Sequence, residues 1–110
     1  MAEDVREAFV RRVKPIDPLF KGGDLERFWT MLRDLVAMAP QRVDLSQKKS
    51  HYLASLAARS LARDDPRSAL RFLEFADRSV DRSHLTPFLL TEREEFRRQA
   101  EAALGPAPRP

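Results

Sequence analysis

Hydrophobic and polar positions along this chain alternate with the period of helices, and no segment alternates with period two. Val5, Ala8, Phe9 and Val13 share one face of a first helix, predicted from about Glu3 to Lys14 and stopped by Pro15. Glu3, Asp4 and Glu7 stand at its start and Arg11, Arg12 and Lys14 at its end, each sign matching the helix dipole. The connector KPIDPLFKGGD contains Asp17-Pro18, which can open a single turn that Gly22 ends. A second helix is predicted from the cap Asp24 to a stop before Pro40. Leu25, Phe28, Trp29, Leu32, Leu35, Val36 and Ala39 follow its period. DLSQ then reads as a capping box, Asp44 with Gln47, opening a third helix from Leu45 to about Arg63.

The apolar arc of that third helix is wide. Tyr52, Leu53, Leu56, Ala57 and Leu61, flanked by Ala54 and Ala58, cover about half of its circumference, so it is expected at the centre, with neighbours on two sides. Asp65-Pro66 opens a fourth helix, with Ala69, Phe72, Leu73, Ala76 and Val80 on its core face. The fifth has two candidate starts, Thr86-Pro87 and the capping box Thr91 with Glu94. The early start aligns Leu89, Phe96, Ala100, Ala103 and Leu104 and is preferred. Gly105 is the expected C-cap, with PAPRP behind it as a flexible tail. The expectation is an all-α fold of about five helices, in an antiparallel bundle or a hairpin stack. It is a single domain over 1–105 with a tail over 106–110.

The stretch LASLAARSLARDDPRSALRFLEFADRS, Leu53 to Ser79, places small and large residues as two closely packed antiparallel helices require. With Ala69 as the small residue early in the second helix, Leu56 and Ala57 form the large-small pair of the first. Leu73 and Ala76 take the large and small positions that follow. On these residues the hairpin from about Ser50 to Asp81 resembles one tetratricopeptide repeat. It departs at Ser60, where that family has an aromatic, and at Asp81, where it has a proline. The resemblance covers about a third of the chain and implies a non-catalytic binding module; an Ala/Leu-rich hairpin within a plain bundle would converge on the same pattern.

Composition narrows the chemistry. Cysteine is absent, which removes disulfides, thiolate metal sites and thiol catalysis. The N-terminal stretch MAEDVREAFVRR is charged throughout, and runs such as LVAMAPQ and HLTPFLLT are too short to span a bilayer. A cytoplasmic protein that does not engage membranes is the expectation. Lys and Arg number 20 against 17 Asp and Glu, a net charge of +3, and arginine dominates the basic set. Abundant arginine and the absence of asparagine point to a thermophilic or high-GC bacterial source. The signs are interspersed rather than segregated. Arg59, Arg63, Arg67 and Arg71 are the exception: they run up one helix, over the turn and down the next, a stripe that could meet phosphates. Glu74 and Arg78, four apart, are an expected ion pair that dilutes that field.

No metal site is expected from His51 and His84, which lack ligand spacing, and no cofactor motif is present. Both histidines are expected at the surface or in caps. Arg78 and His84, in RSVDRSH, fit the Arg-x(4–6)-His spacing of HEPN-type ribonucleases, which would stabilise a phosphate with Arg and move a proton with His. That is the alternative catalytic pair. The acidic pairs Asp64-Asp65 and Glu94-Glu95 sit at predicted helix starts, where carboxylates satisfy free N–H groups. Met31, Met38, Leu70 and Phe75 lie off the core faces and are the candidate partner-binding residues, since Met and Phe are enriched at interfaces. The leading expectation is a protein–protein adaptor that binds another protein or a second copy of itself. The alternative is a nucleic-acid-associated protein, using the arginine stripe or Arg78 with His84.

Overall fold

Stop and start signals set the element order of the computed structural model, which describes residues 5–38 and 40–105. Among these residues six α-helices follow one another: α1 Val5–Val13, α2 Asp17–Lys21, α3 Leu25–Val36, α4 Val43–Ala62, α5 Pro66–Ser79 and α6 Pro87–Leu104. A 3-10 turn, Arg82–His84, lies between α5 and α6. Among the described residues there is no strand, and no helix is long and apolar enough to cross a membrane. The expected start of the first helix at Glu3 and Asp4, the core role of Ala39 and the tail 106–110 all lie outside the described residues.

The single turn expected in the connector is α2, braced by the Lys21 Nζ–Asp17 Oδ2 pair at 2.9 Å. Gly22 closes it by donating its N–H to the Pro18 carbonyl at 2.8 Å. Gly23 follows at φ +85, a conformation that favours glycine, and a Cβ there would lie 3.1 Å from the Arg63 guanidinium. Asp24 caps α3, its carboxylate accepting from the Arg27 N–H. The last turn of α3 ends at Val36, short of Pro40.

The third predicted helix starts differently. α4 begins at Val43 with Arg42 as its N-cap residue, and no side chain caps it. Asp44 lies inside the first turn and pairs with Arg42 and Arg6, each at 3.2 Å. Gln47 donates instead to the His84 carbonyl, at 3.0 Å. The Asp44–Gln47 capping box therefore does not form, because both side chains have stronger partners elsewhere. At its far end α4 closes in a Schellman arrangement: Asp64 N–H donates to the Leu61 carbonyl and Asp65 N–H to the Ser60 carbonyl. Asp64 takes the left-handed position, φ 59, that glycine usually fills. Asp65 then caps α5 by accepting from the Ser68 N–H at 3.1 Å, and Pro66 occupies the first turn.

The early start of the last helix is correct: Thr86 accepts from the Leu89 N–H at 3.2 Å and α6 runs from Pro87. Glu94 and Glu95 consequently lie within α6 rather than at its start, paired with Arg97 and Arg98 one turn on. Gly105, at φ +76, ends it.

α4 is central, as its wide apolar arc requires. Leu45, Leu53, Ala54, Leu56 and Ala57 are buried. Leu45, Leu53 and Leu56 join the larger core with Phe9, Val13 and Ile16 of the N-terminal segment, Phe28 and Leu32 of α3, and Ala76 and Val80 beyond them. Ala57 joins a second cluster with Ala69 and Leu73 of α5 and Ala100 of α6. Small residues at 57, 69 and 100 let three helix backbones approach one another closely. Burying a leucine such as Leu56 removes apolar surface worth about 1.5–3 kcal/mol from water.

Two basic residues lie inside. Arg93 of α6 is 2% exposed. It donates to Asp77 Oδ1 at 2.7 Å and to Ser50 Oγ at 3.1 Å. Lys49 is 1% exposed, donates to the Met38 carbonyl at the end of α3 and lies 5.8 Å from the Phe9 ring centroid. Burial pushes its ammonium below the ordinary lysine range. Ala103 and Leu104, expected on the core face of α6, are exposed, because that face loses its neighbours beyond Ala100.

Candidate functional site

The helical period places Leu25 and Trp29 one turn apart on α3, and Phe72 and Phe75 on adjoining positions of α5. The fold sets these two faces opposite each other without closing them. Trp29 meets Phe72 edge-on with ring centroids 5.1 Å apart and Phe75 at 4.8 Å, with ring planes at 74° and 89°. All three rings are half-buried. They line a groove of about 560 Å³ that is open to solvent. That volume lies in the range of sites that hold ligand side chains or small molecules.

The rim is polar and mostly basic. Arg63, Arg71 and Arg78 line the groove, with Glu26 and Asp65 also on its edge. Asp65 is already occupied. Its carboxyl is held below the usual aspartate range, first by a hydrogen bond with the Ser68 side chain and then by the Ser68 N–H. Arg63 donates to the Gly23 carbonyl. Arg71 and Arg78 have no hydrogen bond or ion pair among the described residues, and both are exposed. Glu74 and Arg78, the expected i,i+4 pair, do not form an ion pair.

The arginine stripe divides into parts with different work. Arg59 donates to the Phe20 carbonyl and stacks over the Phe20 ring with its guanidinium carbon 4.0 Å from the centroid. With Arg63 on the Gly23 carbonyl, it ties the end of α2 to α4. Arg67 and Arg71 are exposed, and only Arg71 reaches the groove. Sequence spacing places four cations on a path; it does not show which of them find backbone carbonyls.

The four candidate partner residues also separate. Phe75 lines the groove. Met31 is 42% exposed on α3, two positions beyond Trp29 and therefore on another face. Met38 is half-buried against the larger core, and its sulfur accepts from Arg12 at 3.5 Å. Leu70 packs beside the second cluster under α6. Other exposed apolar residues, Val10, Val43, Phe88 and Leu104, are distributed over α1, α4 and α6.

Arg78 and His84 have different surroundings. Arg78 lines the groove. His84 is half-buried beside α4, its Nδ1 2.8 Å from Ser46 Oγ and its Nε2 3.6 Å from Asp81 Oδ2. With the bond from Gln47 to its carbonyl, His84 anchors the 3-10 turn onto α4. His51, by contrast, is exposed. Asp81, His84 and Ser46 form an acid–imidazole–hydroxyl series that sequence reading did not find, because Ser46 lies 38 positions from His84. Ser46 is 1% exposed, so its hydroxyl cannot reach an external carbonyl carbon, and the series acts as a latch. Among the described residues no three His, Asp or Glu side chains are grouped to hold a metal ion. No protein-family model, curated protein or solved structure matches this chain.

Proposed function

We propose that the protein is a non-catalytic helical module that binds a segment of a partner protein in the groove between α3 and α5. The observation that carries this reading is the aromatic trio Trp29, Phe72 and Phe75, left half-exposed in a concave setting while smaller side chains elsewhere are fully buried. Open concave sites with aromatic walls and a polar rim suit helix or peptide docking, in which a few apolar anchors supply affinity and the rim supplies orientation. The α4–α5 hairpin serves as the rigid back of the site. Its buried small residues fix α5, and α5 in turn fixes Phe72, Phe75, Arg71 and Arg78.

The nucleic-acid alternative has less support. Arg59 and Arg63, two of the four cations of the stripe, are engaged with backbone carbonyls and do not point at an external phosphate. A random-peptide display selection on the immobilised protein tests the proposal. Trp29 is the single tryptophan, so its emission reports on the groove alone. Enriched peptides should shift that emission to shorter wavelength and shield it from acrylamide. A selection that yields no peptide with this effect overturns the proposal.

A further inference from the structure

We infer that the segment this groove takes is an acidic amphipathic helix whose carboxylates lie on either side of an apolar anchor. The inference rests on the docking function proposed above and names the chemistry of the partner. Arg71 and Arg78 are seven residues apart on α5, so they project from nearly the same face, about 10 Å apart along the axis. Phe75 lies between them, four residues beyond Arg71 and three before Arg78, and all three line the groove. The pattern read along α5 is cation, aromatic, cation.

The two cations set the sign of the occupant. Neither has a hydrogen bond or ion pair among the described residues, whereas Arg59, Arg63, Arg93, Arg97 and Arg98 all do. Of the two acids on the rim, Asp65 caps α5 and its charge is felt by Arg71, and Glu26 stands on α3; Arg63, Arg71 and Arg78 still leave the rim one cation in excess. A guanidinium flanking an apolar surface binds carboxylates by paired N–H donation.

Spacing then sets the shape. A partner helix laid along α5 presents positions i and i+7 about 10 Å apart, with i+3 and i+4 between them on the same face. Acidic residues at i and i+7 meet Arg71 and Arg78, while large apolar residues at i+3 and i+4 pack onto the exposed parts of the Phe75, Phe72 and Trp29 rings. Since α5 spans 14 residues, a partner of about four turns covers the groove.

Two fluorescein-labelled libraries of helical peptides of about four turns test this. Both randomise apolar residues at i+3 and i+4; one fixes Glu at i and i+7, the other Lys. Fluorescence anisotropy on the intact chain should show the Glu library binding at least about tenfold more tightly than the Lys library. The double variant Arg71→Glu/Arg78→Glu should invert that order, and Arg71→Gln/Arg78→Gln should abolish the preference. Both sites are exposed, and unchanged circular dichroism of each variant establishes that the fold is intact. Equal binding of the libraries, preference for Lys, or no inversion overturns the inference. So does displacement of the Glu peptides from the groove by a single-stranded poly-dT oligonucleotide at physiological salt. If random selection yields peptides that move Trp29 emission but carry no acidic bias, the inference fails while the docking function stands. If no peptide from any library affects Trp29, the docking function itself has failed.

Discussion

Removing the acidic member of the Arg93–Asp77 pair should cost more than removing the basic member, although Arg93 is the buried one of the two. Arg93 is 2% exposed, and its ordinary charge is balanced by Asp77 Oδ1 at 2.7 Å. In Asp77→Ala the guanidinium stays buried with Ser50 Oγ as its remaining partner, and its Nε already has none. Stripping the partner from a buried charge costs about 3–5 kcal/mol. The nearby Arg97, which donates to the same carboxylate at 2.5 Å, would then repel Arg93 as well. In Arg93→Met the stem volume is retained and the buried charge is removed. Asp77 keeps Arg97, and the main loss is an unsatisfied Ser50 hydroxyl, at about 1–3 kcal/mol. Urea unfolding at neutral pH, followed by far-ultraviolet circular dichroism, should therefore rank Asp77→Ala as the less stable variant. The double variant should lie close to Arg93→Met, since the cost of Asp77→Ala exists only while the guanidinium is there. An Arg93→Met variant less stable than Asp77→Ala, or additive losses in the double variant, would refute this reasoning.

Three further outcomes follow from particular contacts. Leu56→Ala, at a position of 0% exposure in the central helix, should cost about 2–5 kcal/mol in the same unfolding assay; a loss under about 1 kcal/mol would mean the cavity collapses freely. Gly23→Ala should destabilise by more than about 1 kcal/mol, because its φ of +85 disfavours a Cβ that would also press on Arg63, and calorimetry should show a lower Tm. Asp65 has a folded-state carboxyl below its ordinary 3.8, so its contribution is present above that value and is lost as pH falls through the lower folded value. Asp65→Asn, which retains the capping oxygen but not the charge, should lower stability near pH 7, leave it closer to the wild type in acid, and so flatten the acid limb of the stability–pH curve.

Local chemistry was legible wherever a signal and its effect lie within one turn. Asp24, Asp65-Pro66 and Thr86-Pro87 mark helix starts that the structure reproduces, since each cap bonds an N–H three residues on. The Asp44–Gln47 box misled because its members are recruited by Arg42, Arg6 and the His84 carbonyl, and the last is 37 residues distant. The wide arc of α4 correctly marked the central helix. Lys49 and Arg93 are buried cations, and each interrupts an apolar stripe: Lys49 between Leu45 and Leu53, Arg93 between Leu89 and Phe96. That interruption was a usable sign of burial. Their partners were not readable, because Met38, Asp77 and Ser50 are 11, 16 and 43 residues away. Of the groove between α3 and α5, Phe75 lies on the flanking position that the helical period gives it. Trp29 was read as core, since periodicity gives the face a residue lies on but not whether the opposing helix closes over it.

The docking role is tested most directly by the emission of Trp29 during titration with a peptide that carries Glu at i and i+7 around two leucines. Because Trp29 is the single tryptophan and lines the groove against Phe72 and Phe75, no other indole obscures the signal. A saturable shift to shorter wavelength, lost in Arg71→Glu/Arg78→Glu and restored when the peptide carries Lys at both positions, is the predicted result. Binding that leaves Trp29 emission unchanged, or a shift indifferent to the charge of peptide and protein, would contradict it.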